Sequence, residues 1–175
     1  MAPVDPFADV LAANADYSRT FSDSGLSGTA ARGLLVLTCM DSRIAPLEAL
    51  GLRAGDAKIL RNAGGQVTPD VLTTIVLAAH LLGVRRVMVM PHTDCRMTKA
   101  TDAELHQRLL EEGVDTRSLS FGTIAYPDDA LHRDVQRVRS SPYLPAAVVV
   151  GGFRYDVSTG RIATVVPAEP AGRGN

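Results

Sequence analysis

Three side chains of the types that bind zinc follow two apolar segments of the chain. Cys39 comes directly after the apolar run 33–38, and His92 and Cys95 follow the run 84–90. If both runs are neighbouring strands of a parallel sheet, their carboxyl ends meet at one edge and the three side chains lie together. Two thiolates and one imidazole suit zinc, and three protein ligands leave a fourth position open, as in catalytic zinc sites. The spacing therefore predicts a metal site at this edge.

A carboxylate and a guanidinium lie close to the first cysteine in the segment CMDSR. Asp41 and Arg43 could form an exposed ion pair, which contributes little to stability. Beside a metal-binding cysteine the pair gains a second use, because Arg43 can hold the Asp41 carboxylate by charge-assisted hydrogen bonds and keep it ionised. Carboxylates around metal sites regularly orient the groups bound there. The position of the pair favours this second role.

The composition excludes several classes of partner. The chain of 175 residues fits one domain, and its 18 basic and 19 acidic residues give a formal net charge of −1. This balance gives no support for binding to nucleic acids or to membrane surfaces. No apolar run is long enough to cross a membrane, and the first residues lack the pattern of a signal peptide. We therefore expect a cytoplasmic protein whose two cysteines stay reduced.

Apolar runs alternate with amphipathic segments, which is typical of an α/β fold with a parallel sheet. The predicted strands are 33–38, 57–62, 84–90 and 146–150, followed by a hairpin over 153–166 with Gly160 in its turn. The predicted helices are 6–19, 45–52, 68–83, 101–112 and 128–139. We expect four parallel strands, one antiparallel hairpin strand and helices on both faces of the sheet.

The predicted helix starts rest on capping residues. We expect Asp5 to cap the first helix, Thr68 to cap the third, and Thr101 with Glu104 to form a capping box at the fourth. Gly83 suits the end of the third helix.

The first helix carries an apolar stripe and is followed by a loop rich in small residues. The stripe could pack on a partner subunit or on the chain's own domain. We divide the chain into a helical arm and loop (1–32), an α/β domain (33–166) and a disordered tail (167–175). The stripe consists of Phe7, Val10, Leu11 and Tyr17.

The motifs taken together resemble those of the β-class carbonic anhydrases. The family pattern runs C-x-D-x-R, then R-N-x-x, then H-x-x-C, and this chain has CMDSR, RNAGG at 61–65 and HTDC in the same order and spacing. The resemblance covers most of residues 5–166, and the short length looks like that of the compact bacterial or archaeal members. It implies a Rossmann-like sheet, a Zn²⁺ cofactor bound by Cys39, His92 and Cys95, and a homodimer that can pair into a homotetramer.

The resemblance also implies an activity, that of a carbonate dehydratase, which is a zinc lyase. Carbon dioxide would be hydrated reversibly to bicarbonate and a proton, with hydroxide on the zinc as nucleophile and the Asp41–Arg43 dyad orienting it. In the closed form of the family, Asp41 would leave Arg43 and bind zinc itself. Gly64 and Gly65 would let the backbone approach the substrate closely, although they could equally form a simple turn after the second strand.

Other functions stay open at this point. One is a hydrolase of carbon disulfide or carbonyl sulfide with the same site, and another is a non-catalytic, zinc-binding regulatory protein. The Asp41–Arg43 pair argues against the latter, because a structural site more often carries a fourth permanent ligand. A thiol redox protein is disfavoured, since the chain lacks C-x-x-C. The chain departs from many relatives at Arg53, Pro91 and Arg96, which bears on proton exit and substrate orientation.

Overall fold

A five-stranded sheet forms the centre of the protein in the computed structural model, which describes residues 5–172. The strands are β1 (Leu34–Cys39), β2 (Ala57–Asn62), β3 (Arg86–Met90), β4 (Val149–Tyr155) and β5 (Ile162–Pro170). Their order is β2-β1-β3-β4-β5, with β5 antiparallel to β4 and the other pairs parallel. The predicted α/β sheet of four parallel strands and one antiparallel hairpin strand is confirmed.

Helices connect the strands close to the predicted limits. They are α1 (Ala8–Arg19), α2 (Pro46–Ala49), α3 (Pro69–Leu81), α4 (Asp102–Glu111) and α5 (Pro127–Arg139). The capping box is confirmed: Glu104 N–H donates to Thr101 Oγ1 over 3.2 Å, and Thr101 N–H donates to Glu104 Oε2 over 2.7 Å. Of the other two predicted caps, Thr68 does lie at the N-cap position of α3, whereas Asp5 does not lie at that of α1. Thr68 makes no capping hydrogen bond with its side chain, and Asp5 accepts from Phe7 N–H in a turn before α1 begins.

Strand β1 is apolar on both faces because it lies inside the sheet between β2 and β3. Leu35 and Leu37 pack in the larger apolar cluster, together with side chains of α3 and α5. Val36, between them, packs in a smaller cluster that also contains Cys39 and Cys95. The smaller cluster therefore brings the two cysteines into the protein interior.

The fourth strand and the first half of the hairpin are one element, which corrects the prediction of separate segments at 146–150 and 153–166. Strand β4 pairs with β3 at its start and with β5 along its length. Gly151 and Gly152 follow the apolar run 146–150, and because glycines are uncommon inside strands, the sequence predicts a break between two elements here. A Cβ atom at Gly152 would lie 3.0 Å from Val135 Cγ2 of α5 and 2.9 Å from Val166 Cγ2 of β5. This glycine lets both elements approach the strand.

The predicted disordered tail begins too early. Strand β5 continues to Pro170, where it pairs with Val149. Beyond it, Ala171 N–H donates to Val148 O over 2.7 Å and Gly172 N–H donates to Arg139 O over 2.8 Å. The prediction is therefore wrong for residues 167–172, and residues 173–175 lie outside the described part of the chain. The missed signal is the length over which β5 pairs with β4, which the local composition of this segment does not reveal.

The first helix makes no contribution to the core, since none of the residues of α1 is buried. The loop after it is held to the domain towards its end, where Lys58 Nζ donates to Gly28 O, Ala30 N–H donates to Leu82 O over 2.8 Å and Arg32 N–H donates to Asp56 O over 2.9 Å. We call residues 5–27 the arm. None of the helices described between residues 5 and 172 is both long and apolar enough to cross a membrane.

Candidate metal centre

Parallel pairing brings the three predicted zinc ligands to one place. Strands β1 and β3 pair in register from Leu34 with Arg86 to Thr38 with Met90, so both end at the same edge of the sheet. Cys39 is the last residue of β1, and His92 and Cys95 lie in the loop that follows β3. The convergence expected from the sequence is thus present.

The three side chains form a compact buried cluster. The sulfur atoms of Cys39 and Cys95 and a ring nitrogen of His92 all lie within 4.8 Å of one another. The two Sγ atoms are 4.0 Å apart, and neither cysteine is in a disulfide. One cation could therefore contact all three atoms.

The ring of His92 is oriented by its own loop. Its Nδ1 lies 2.7 Å from Thr93 O, which makes Nδ1 the donor and leaves the lone pair on Nε2. Nε2 is buried and has no hydrogen-bond partner within residues 5–172. An unpartnered buried nitrogen is costly, and a metal ion at the lone pair would satisfy it. A histidine whose second nitrogen donates to a carbonyl is the usual arrangement at a metal site.

The electrostatics also suit a cation. Burial raises the pKa of the Cys95 thiol to about 11, and the neighbouring Cys39 adds to the shift. A thiolate at this position therefore needs a positive charge beside it, which a metal ion provides. The donor set of two cysteines and one histidine is compatible with zinc.

Asp41 and Arg43 form a two-pronged ion pair next to this cluster. Arg43 Nε donates to Asp41 Oδ1 over 2.9 Å, and Arg43 Nη2 donates to Asp41 Oδ2 over 2.7 Å. These side-chain bonds, with one from the Arg43 backbone N–H, hold the pKa of Asp41 well below its usual range. Asp41 Oδ2 is 3.8 Å from His92 Nε2. An ionised carboxylate thus lies beside the proposed ligands.

The glycines of RNAGG pack against the first cysteine. Gly64 N–H points at Cys39 Sγ over 3.4 Å. A Cβ atom at Gly65, whose φ is +66°, would lie 3.0 Å from Cys39 N. The chain therefore turns here, and the turn packs against Cys39.

A small cavity opens beside the cluster, with a volume of about 20 Å³, which is room for one water-sized molecule. His92, Cys95, Gly64 and Gly65 form one side of it. The segment before α5 and α5 itself also line the cavity, with the apolar residues Ile124, Pro127 and Leu131 and the carboxylate of Asp134.

Two polar residues at the site were not singled out from the sequence. Arg61 Nε donates to Cys39 O over 2.9 Å and its Nη2 donates to Asp41 O over 2.6 Å, so it holds the backbone of the CMDSR segment. Asp94, between the second and third ligands, accepts a hydrogen bond from Arg43. One feature of the sequence could have indicated Arg61, namely its position near the end of the strand that pairs with β1. No feature of the sequence indicates that Asp94 contacts Arg43.

Known proteins match this chain over most of its length. A family model described as carbonic anhydrase matches residues 34–120. The chain is 31% identical over 161 residues to Beta-carbonic anhydrase 1 of Mycobacterium bovis. The aligned region covers 91% of this chain and 97% of that protein. It is 30% identical over 155 residues to a carbon disulfide hydrolase of Saccharolobus solfataricus, covering 75% of this chain and 76% of that protein.

A solved structure agrees with these matches. The crystal structure of carbonic anhydrase from Streptococcus mutans superposes with a TM-score of 0.86 at 34% sequence identity, covering 93% of this chain and 99% of that one. The sheet and the cluster at its carboxyl edge define an α/β enzyme with a Cys–His–Cys site compatible with zinc. The chain belongs to the β-class carbonic anhydrase family and is an enzyme of the carbonate dehydratase type.

Proposed function

We propose that this chain catalyses the zinc-dependent, reversible hydration of carbon dioxide to bicarbonate and a proton. Hydration of carbon dioxide is the general reaction of the family to which the chain belongs. The observation that carries the proposal is the buried cluster of Cys39, His92 and Cys95, whose unpartnered His92 Nε2 fits a metal ion, next to an ionised Asp41.

We assign the metal to the two sulfur atoms and His92 Nε2. A bound zinc ion supplies a Lewis acid that lowers the pKa of a coordinated water from about 15.7 towards about 7. The hydrogen bond from His92 Nδ1 to Thr93 O keeps the Nε2 lone pair aimed at the sulfurs. Arg61 holds the carbonyl of Cys39 and so keeps the first sulfur in place.

Asp41 acts on the oxygen nucleophile. As a carboxylate it only accepts hydrogen bonds, so it can take one from the attacking oxygen and leave that oxygen's lone pair free for the carbon of the substrate. Arg43 keeps Asp41 ionised and fixes its plane through the two-pronged contact. If Asp41 turned from Arg43 towards the cluster, it would become a further metal ligand and block this role.

Carbon dioxide is small and carries no charge, and we propose that it reaches the cluster at this cavity. Gly64 and Gly65 form the wall nearest to Cys39, and we assign them to substrate binding. A Cβ atom at Gly64 would lie 2.9 Å from Ile124 Cδ1 and would narrow the space. Carbon dioxide and bicarbonate are thus the proposed partners, and the exposed stripe of the arm supports assembly with a second copy as a homodimer or homotetramer.

A stopped-flow assay of carbon dioxide hydration on the zinc-loaded protein tests the proposal. We expect rapid hydration that disappears when the metal is removed with a chelator and returns when zinc is added. His132→Ala serves as a control for histidine loss, because His132 is exposed on α5 and away from the cluster. Hydration no faster than in buffer, with zinc bound, would overturn the proposal.

The match to a carbon disulfide hydrolase supports one alternative, the hydrolysis of carbon disulfide or carbonyl sulfide at the same site. The same zinc-loaded preparation should be offered carbon disulfide and carbonyl sulfide, with sulfide release as the readout. Sulfide release without carbon dioxide hydration would assign the chain to that reaction instead. Zinc binding with neither activity would favour a regulatory protein.

A further inference from the structure

The loop between His92 and Cys95 contains an unusual backbone conformation at Asp94. Among residues 5–172, Asp94 is the only non-glycine residue with a positive φ, at 54°. This left-handed region is unfavourable for most side chains, although aspartate and asparagine tolerate it. Such conformations cluster at functional sites, where the surrounding contacts maintain them. The contacts of Asp94 are therefore informative.

Asp94 binds the same guanidinium that holds Asp41. Arg43 Nη1 donates to Asp94 Oδ2 over 3.0 Å, and Arg43 Nη2 donates to the Asp94 carbonyl over 3.2 Å. With the bonds to Asp41, all three nitrogen atoms of the Arg43 side chain have a carboxylate or carbonyl partner. The plane of the guanidinium is thus held on two sides, by Asp41 on one and by Asp94 on the other.

A second cation shares the Asp94 carboxylate. Lys99 Nζ lies 2.9 Å from Asp94 Oδ1, while Arg43 uses Oδ2. The two oxygens of one carboxylate therefore bridge two cations, whereas an amide is uncharged and would place an NH₂ donor, instead of an oxygen, against one of them. The cluster of Asp41, Arg43, Asp94 and Lys99 contains two charges of each sign.

We propose that Asp94 is a positioning residue for the proposed Asp41–Arg43 dyad. It holds the guanidinium plane of Arg43, so that Nε and Nη2 face Asp41 and keep the carboxylate beside the metal centre. This inference deepens the proposed function and rests on it for its effect on turnover. The geometric part concerns only the protein's own side chains.

If Asp94 only stabilised the fold, loss of its charge would lower the melting temperature. The side chains of Arg43 and Asp94 are 44% and 55% exposed, and ion pairs at such exposure contribute little to the stability of the fold. Loss of the Asp94 charge should therefore leave the melting temperature unchanged. An effect confined to the order of Arg43 and to turnover would be the mark of a positioning role.

Asp94→Asn is the decisive variant, since asparagine tolerates the same backbone conformation. Asp115→Asn is a matched control, because Asp115 forms a similar exposed pair with Arg117 two residues later, with Arg117 Nε donating to Asp115 Oδ1 over 2.9 Å. Asp94→Gly provides a second variant that relaxes the backbone and removes the carboxylate. We expect Asn and Gly at position 94 to behave alike.

The first readout is the Arg43 Nε–H resonance in the ¹⁵N spectrum of the metal-free protein, identified by its loss in Arg43→Lys. We expect its proton to exchange with solvent several-fold faster in both Asp94 variants and at the native rate in Asp115→Asn. In the zinc-loaded protein, kcat of both Asp94 variants should fall by up to about 10-fold, while zinc content and KM stay unchanged. A loss of this size is at or below that found for residues that orient metal-site groups directly.

The outcomes separate the two proposals. Native exchange of the Arg43 Nε proton in Asp94→Asn would overturn the positioning role, whatever the activity. Native exchange of this proton in Asp94→Gly, together with faster exchange in Asp94→Asn, would also overturn the positioning role. The backbone conformation at residue 94, and not its carboxylate, would then control the order of Arg43. A wild-type protein that shows no hydration, with faster exchange in both Asp94 variants, would remove the proposed function and leave the positioning of Arg43 intact.

Discussion

The metal centre and the arm, residues 5–27, differ in how their side chains are held. At the metal centre, Cys39, His92 and Cys95 are buried, and His92 is fixed by a hydrogen bond from its own ring. In the arm, the apolar side chains stay outside, with Phe7 65% and Leu11 58% exposed. Residues of one chain form the first region, whereas the second has apolar surface that the described residues, 5–172, leave exposed.

This difference indicates where each region acts. The proposed ligands come from the end of β1 and from the loop after β3 in a single chain, so metal binding should depend on few residues and little on assembly. The stripe of the arm forms no part of the core, and a surface on a second copy of the chain would cover it. Variants at the two regions should therefore affect different measurements.

The largest expected effect is the loss of metal. Cys39→Ser, His92→Ala and Cys95→Ser should each lower the zinc content sharply from close to one ion per chain, because two protein ligands hold the ion too weakly. Elemental analysis of purified protein measures this, with His132→Ala as the control. Full zinc content in all three variants would show that the ligands are elsewhere.

The next effect is on turnover alone. Asp41→Asn should retain zinc, because the three ligands are intact, while hydration falls by about 10- to 100-fold, the range for residues that orient metal-site groups. The amide can present its NH₂ group to the nucleophile instead of accepting from it. Zinc content and the pH–rate profile should be measured on one preparation. Native turnover in the zinc-replete variant would contradict the role of Asp41.

The same variant bears on the closed form. A neutral amide binds zinc more weakly than a carboxylate does, so Asp41→Asn should weaken any state in which residue 41 occupies the metal. If closure limits the native enzyme at low pH, the pH dependence of the remaining activity should flatten. A profile with unchanged shape would show that closure does not limit the native enzyme.

The smallest effect on the metal centre is expected from the arm. Deletion of residues 1–25 should disrupt the oligomer and leave the zinc content unchanged, with sedimentation giving the mass. A finer version is Leu11→Asp, which places a charge in the stripe, against Ala12→Asp, which places it away from the stripe because Ala12 is not three or four residues from any stripe residue. Only Leu11→Asp should weaken association. A native protein that sediments as a monomer would refute the role of the arm.

The metal cluster and the helices could be predicted because they depend on where the apolar runs end and on the periodic spacing of apolar residues. Cys39 and Cys95 could be placed together because parallel strands end at a common edge, and the capping box at Thr101 is a local signal. The continuity of β4 through Gly151 and Gly152 could not be predicted, because it depends on the approach of α5 and β5. Such approaches are tertiary contacts and leave little trace in a single sequence.

The site shows the same division between local and tertiary information. The dyad of Asp41 and Arg43 could be proposed because both residues lie beside a cysteine. The anchoring of Arg43 by Asp94 depends on a positive φ and on the distance between two loops, which become evident only in the folded chain. Residues that act through another residue are thus the part that sequence patterns miss.

The most direct test of the account is the rate of carbon dioxide hydration measured while metal-free protein is titrated with zinc. If Cys39, His92 and Cys95 hold the catalytic zinc ion, the rate rises in proportion to bound zinc and reaches a plateau close to one ion per chain. The same titration on Cys95→Ser should give no rise over this range. Hydration by the zinc-free protein, or a fully zinc-loaded protein that hydrates no faster than buffer, would contradict it.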